Sequence, residues 1–310
     1  MKQIMVLSIV AIGLATGGKS LATFLPPEED KVFINDGIIQ RGDVYETVSV
    51  YDTPPGHTTV NMTGGIVGDL SSVDSGLYAF DSSTINISGG QVAILGATDS
   101  STVNIDDGQV WNLRAYGSSN ILVSGGEVGQ FTIQDLNMYE SSTLTITGGR
   151  ILAGASGSEG RLRDNSTLNI DGAGVLGFWA ALDRSIVNLY GGSMNALDAA
   201  DNSTINVYGG NIGLGWGFNM YDSATLNVYG SDFLYDPHWL WAQDSPVWGT
   251  GWVARLTSMG FEGAPIEIIG WIPDPAQSEY VNLIPEPSTW AILTLGALAV
   301  RRKRKKTGQS

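Results

Sequence analysis

Residues 83–90 read Ser-Thr-Ile-Asn-Ile-Ser-Gly-Gly, and the pattern returns eighteen residues later as Ser-Thr-Val-Asn-Ile-Asp-Asp-Gly at 101–108. Working outward, seven more copies begin at residues 58, 119, 142, 166, 185, 203 and 224. The seventh position of each copy falls at 64, 89, 107, 125, 148, 172, 191, 209 and 230, so the intervals are 25, 18, 18, 23, 24, 19, 18 and 21. A self-similar period of this length marks an array of stacked units, each too small to bury a core alone.

Side chains alternate between the two faces of a strand. In every copy one face is apolar: Val60 and Met62, Ile85 and Ile87, Val103 and Ile105, Ile121 and Val123, Leu144 and Ile146, Leu168 and Ile170, Val187 and Leu189, Ile205 and Val207, Leu226 and Val228. The opposite face is Thr and Asn, with Asn61, Asn86, Asn104, Asn169, Asn188, Asn206 and Asn227 in one register. Three residues past the alignment point comes another apolar position, filled by Val67, Val92, Val110, Val128, Ile151, Val175, Met194, Ile212 and Phe233. The unit therefore reads as strand, glycine corner, second strand and polar return. Paired glycines suit a corner that visits positive φ.

These features predict an all-β chain: a single-stranded parallel β-solenoid (β-helix) of about nine rungs with N- and C-terminal caps, plus a C-terminal short hydrophobic helix. A propeller blade takes about 40 residues and four strands, and an antiparallel sandwich has no need of nine aligned glycine corners. The repeats span 58–233. Residues 23–57 read as an imperfect first rung that caps one end, and 234–284 as an aromatic cap holding Trp239, Trp241, Trp248, Trp252 and Trp271.

The 310 residues include no cysteine, so disulfides and thiolate metal sites play no part. The formal net charge is −15, and between residues 23 and 284 thirty acids face one Lys (Lys31) and seven Arg, a net charge of −22. Nucleic acid is excluded as a partner, because its affinity rests on cations neutralising phosphates. Solubility and mutual repulsion account for the acidity.

The two ends read as addresses. Met1-Lys2-Gln3, the apolar run from Ile4 to Leu14 and the small residues Ser20-Leu21-Ala22 form a signal peptide spanning 1–22, which makes signal peptidase the first partner. Residues 285–310 hold Pro285-Glu286-Pro287-Ser288-Thr289, an apolar stretch from Trp290 to Val300, and the basic stop Arg301-Arg302-Lys303-Arg304-Lys305-Lys306. The prolines hold an extended segment that a protease can bind, and the bases stay on the cytoplasmic side of a membrane. An apolar run of eleven residues is short of the ~20 that a spanning helix needs, so retention at the inner membrane is transient.

This three-part tail resembles the PEP-CTERM sorting signal. The resemblance implies cleavage near the Pro-Glu-Pro motif by an exosortase-like processing enzyme, in bacteria that make exopolysaccharide. The expected product is an exported cell-envelope or extracellular-matrix protein, retained at the membrane and then found at the cell surface or outside the cell.

Catalysis has little support in the residues. The chain has two histidines, His57 and His238, and neither lies in sequence beside an arrangement that suggests a triad. Asp106 and Asp107 are an adjacent carboxylate pair at a turn, where Asp is a favoured residue. No cofactor or metal motif is present, so the body is expected to be structural or adhesive and not an enzyme. A β-helix polysaccharide lyase or glycoside hydrolase is the alternative. Tyr190, Tyr208 and Tyr229 occupy one outward register in successive rungs, as either an aromatic ladder or a carbohydrate contact, with exopolysaccharide as the partner it would meet.

Overall fold

A computed structural model describes residues 30–52, 56–69, 72, 74–129, 136–152, 159–172, 174–241, 252–259, 265–271 and 279–285. The chain winds into a β-solenoid whose rungs stack in parallel register. One column of strands runs from Gly37–Ile39 through Thr59–Val67 and onward to Thr204–Val207, Thr225–Trp241 and Val281–Pro285. The expected apolar pairs line its inner side: all eighteen side chains from Val60 to Val228 are at most 2% exposed. Register holds at every step, as in Asn169 opposite Asn188 and Asn188 opposite Asn206.

The glycine pair turns the chain into a second column. Gly126 has φ +73°, and a Cβ there would sit 2.7 Å from the carbonyl oxygen of Gly108 in the rung below. At Gly125 the restraint is packing, since an added Cβ would collide with the carbonyl oxygen of Asp106. The second column includes 66–67, 91–92, 109–110, Glu127–Val128 and Arg150–Leu152, and buries Val67, Val92, Val110, Val128, Ile151, Met194 and Ile212.

The return segment is not simply polar, which corrects the sequence reading. It holds a third column, in which Lys31–Phe33, Val48–Val50, Leu77–Ala79, 95–97, 113–115, Leu136–Met138 and Glu159–Leu162 stack in parallel. Leu77 and Ala79, Leu95 and Ala97, Leu113 and Ala115, and Leu197 and Ala199 point into the core. Insertions of different length separate the second and third columns, so an alignment anchored on the glycines loses this third strand.

A corner then leads back to the first column. The residue before it takes positive φ in rung after rung: Asp81, Asp99, Gly117, Glu140, Asp164, Asp183, Asp201 and Asp222. Two residues on, Ser83, Ser101, Ser119, Ser142, Ser166, Ser185 and Ser203 form a fully buried internal column, with Thr58 before it and Ala224 after it.

The N-terminal segment forms the imperfect first rung expected of it. Residues 31–50 already supply strands to all three columns. At the other end Trp252–Met259 pairs antiparallel with Thr225–Trp241 and with Pro265–Trp271, which closes the second column. Val281–Pro285 then resumes the first column, with Asn282 opposite Asn227. The expected hydrophobic helix over 290–300 lies outside the described residues. Among those described, no helix is long and apolar enough to cross a membrane.

Two substitutions test this packing. Leu168→Ala should cost about 2–5 kcal/mol in equilibrium denaturation, as expected for a cavity in a core that cannot collapse. Ser203→Ala should leave stability within about 0.5 kcal/mol of the parent or raise it. The buried Ser203 hydroxyl has no hydrogen-bond partner among the described residues, and Ala224 fills the same column.

Candidate functional site

The outward side of the first column carries three parallel rows. Nearest the serine corner runs Thr59, Thr84, Thr102, Thr143, Thr167, Thr204 and Thr225, all half-buried. The middle row is the asparagine ladder. Asn104 donates to Asn86 and Asn86 to Asn61, each at 2.8 Å. After Leu122 and Thr145 interrupt it, the row resumes with Asn188 to Asn169, Asn206 to Asn188, Asn227 to Asn206 and Asn282 to Asn227, again at 2.8 Å. Parallel register places identical amides one strand spacing apart, about 4.8 Å. One Nδ2 therefore reaches the Oδ1 of the rung before it without strain.

The third row ends in the tyrosines singled out by sequence. Tyr190 and Tyr208 stack with centroids 4.9 Å apart and planes within 8°, and Tyr208 and Tyr229 at 4.4 Å and 13°. The rings spend their faces on one another. A sugar lies against a ring face, so the stack offers such a ligand mainly ring edges and hydroxyls. Burial raises the pKa of the Tyr208 phenol above its ordinary value, and Tyr229 and then Tyr190 add to the shift. A second aromatic row, at the corner before the acidic residues, escaped the sequence reading. Tyr51 stacks on Phe80 at 4.5 Å, and Tyr116 on Tyr139 at 5.0 Å.

Part of the acidity proves to be corner chemistry: seven of the thirty acids between residues 23 and 284 hold the positive-φ corner position. The main-chain N–H of Asp81 donates to the carboxylate of Asp99, that of Glu140 to Asp164, Asp164 to Asp183, and Asp183 to Asp201. Each carboxylate thus satisfies a donor in the rung before it, and Asp tolerates the left-handed conformation better than most side chains. The signal was present in sequence as an acidic residue two positions before most of the buried serines.

Asp106 and Asp107 are exposed, but they lie within the continuous strand Thr102–Ala115, at the point where its register with the rung before it shifts, and not in a separate turn as their sequence setting suggested. Asp106 accepts from the Ser124 hydroxyl at 2.5 Å and Asp107 from the Gly108 N–H at 2.7 Å. Among the described residues no group of three or more His, Cys, Asp or Glu is placed to hold a metal ion. His238 lies in a strand, and its side chain is outside the described residues. His57 does gain partners that its sequence neighbours did not reveal. Its Nε2 lies 2.8 Å from the Thr84 hydroxyl and its Nδ1 3.5 Å from Asp52. Asp52 also accepts from the Ser82 hydroxyl and from the Thr58 N–H. Burial pushes the Asp52 carboxyl upward; Ser82, Thr58 and His57 more than reverse this, and its pKa falls below the usual carboxylate value. His57 is half exposed. The cluster pins an inserted loop to the next rung, since the Asp52 oxygen that faces the imidazole is shared with Ser82.

No protein-family model matches the chain, and searches of curated proteins and of solved structures return no match. Of the sorting residues, Pro285 ends the last strand and is exposed, while Glu286 to Lys306 lie outside the described residues.

The raised Tyr208 phenol gives a signed prediction. The unfolded chain ionises first as pH rises, so the stack's contribution is present at neutral pH and lost as pH climbs past about 10. Tyr208→Phe lacks that ionisation. Melts of the two proteins from neutral to strongly alkaline pH should show the parent losing more stability than the variant.

Proposed function

We propose that the chain is exported, cut at its Pro-Glu-Pro motif by an exosortase-like enzyme after transient retention at the inner membrane, and displayed in the envelope or matrix as a non-enzymatic rod. The observation that best supports this reading is the place where rod and tail meet. Val281–Pro285 keeps register with the rung before it as far as Pro285 opposite Gly230, so the motif begins on the last residue of the last strand. Cleavage beyond that point removes the apolar and basic segments and leaves every described ladder intact.

The body supports a mechanical role. Its side chains are committed to one another: amide to amide, ring to ring, carboxylate to the N–H of the neighbouring rung. Such ladders stiffen a rod and leave few groups for chemistry. An exposed surface rich in hydroxyls, amides and carboxylates is also compatible with hydrated exopolysaccharide, whose own groups are of the same kind.

Mass spectrometry of the mature protein's C-terminus tests the sorting step. A terminus near Pro285–Thr289 is expected, and an intact Arg301–Lys306 segment on the mature protein overturns it. Replacing Pro285 and Pro287 together by Ala should leave the tail attached and the protein in the membrane fraction. A turnover screen on acidic polysaccharides should give no product, whereas release of oligosaccharides would favour the β-helix enzyme.

A further inference from the structure

The aromatic row at the acidic corner has a break in it. Val50, Ala79, Ala97, Ala115 and Met138 stand opposite one another in the third column, so the residues that follow them, Tyr51, Phe80, Thr98, Tyr116 and Tyr139, share one place in successive rungs. Tyr51 stacks on Phe80 and Tyr116 on Tyr139, one ring per rung. Thr98 interrupts the series. Phe80 and Tyr116 therefore stand two strand spacings apart, about 9.6 Å, or twice the distance within either pair. Each has one ring face against its partner and the other toward the gap. Thr98 turns its hydroxyl to the protein, within 3.3 Å of the Ala79 carbonyl oxygen and 3.1 Å of the Asp99 carboxylate.

The floor beside the gap is small and the rim is polar. Gly96 lies two residues before Thr98, and the Tyr78 ring leans over it from the preceding rung, where an added Cβ would collide. Arg114, half-buried, succeeds Gly96 in the next rung, and Asp99 is exposed at the corner. Tyr116 is 37% exposed. The groups around the gap all come from residues 74–129, which the structure describes without interruption.

We propose that this gap binds one neutral pyranose residue of a polysaccharide, its ring held between Phe80 and Tyr116 and its hydroxyls bonded by Arg114 and Asp99. The proposal deepens the reading of a rod among exopolysaccharide and rests on it for the source of the sugar. The row takes one ring per rung, so a six-membered ring suits the step that Thr98 leaves. Aromatic faces are negative, and a pyranose turns electropositive C–H groups to them. An acidic sugar is disfavoured, because Asp81 and Asp99 outnumber Arg114 at this corner. An aromatic side chain of another protein would use the ring faces but not the polar rim. The stack of Tyr190, Tyr208 and Tyr229 leaves no such step between its rings.

Affinity electrophoresis of the full chain in mild detergent tests this, with dextran, hydroxyethylcellulose, galactomannan or polygalacturonate cast into the gel. At least one of the three neutral polymers should retard the parent, and polygalacturonate should not. Thr98→Tyr completes the row, so retardation should vanish while the melting temperature holds or rises. Tyr116→Ala should weaken binding about tenfold, and decides the matter if Thr98→Tyr folds poorly. Tyr208→Ala should bind as the parent does. Four results overturn the proposal: no neutral polymer retards the parent, polygalacturonate alone does, a folded Thr98→Tyr keeps the parent's affinity, or Tyr208→Ala loses as much as Tyr116→Ala. The assay uses the unprocessed chain, so its failure leaves the sorting step standing, and an uncut tail in cells leaves this site standing.

Discussion

Everything in this structure depends on the hydrogen-bonded step from one rung to the next in parallel register. That step fixes a spacing of about 4.8 Å and sets like residues over like. Once it holds, any residue type that can bind a copy of itself, or the backbone one step away, becomes a ladder. Asparagine satisfies this through its amide, tyrosine through its ring, and aspartate through the neighbouring N–H. The interior obeys the same rule, since Ile over Ile or Val over Val packs without change of shape. The stability of a rung is therefore shared with its neighbours, as in other linear repeat architectures.

How much of this was legible depended on whether a residue keeps a constant distance from the glycine corner. Val60 to Val228 and the asparagines do, and their burial and register follow from the sequence alone. Leu95 and Ala97, or Leu113 and Ala115, lie beyond a point where the chain inserts loops, so their periodicity is invisible from that anchor. Measured from the positive-φ corner residue that follows, Asp99 in one case and Gly117 in the other, the same pairs fall at fixed positions. The rung at Val281–Pro285 was hidden for a related reason: the Trp-rich excursion after Tyr235 separates it from the repeats by some fifty residues, although Val281-Asn282-Leu283 repeats their alternation. His57 illustrates a third kind of blindness. Asp52 lies five residues before it, but Thr84 meets it, and Ser82 meets Asp52, only because stacking brings residues 27 and 30 positions apart into contact.

The candidate site shows the same division. The tyrosine row was visible as a row, but its consequence was not, because only the ring geometry shows the faces turned toward each other. The acidic balance was visible as a number, while the corner positions that absorb part of it emerge from positive φ values at residues such as Asp164 and Asp183. The tail is the opposite case. Its three-part order is plain in sequence, and the fold adds the fact that it starts where the last strand ends.

The asparagine ladder has a direction. Within each unbroken run, Asn61 to Asn104 and Asn169 to Asn282, each amide donates toward the N-terminal end and accepts from the C-terminal side, so every rung of the run presents the same pair of half-bonds to its neighbours. A duplicated eighteen-residue unit can enter such a chain at any step without turning an amide around. Rod length is thus free to change by whole rungs through tandem duplication, in increments of about 4.8 Å, while the two ends stay as they are.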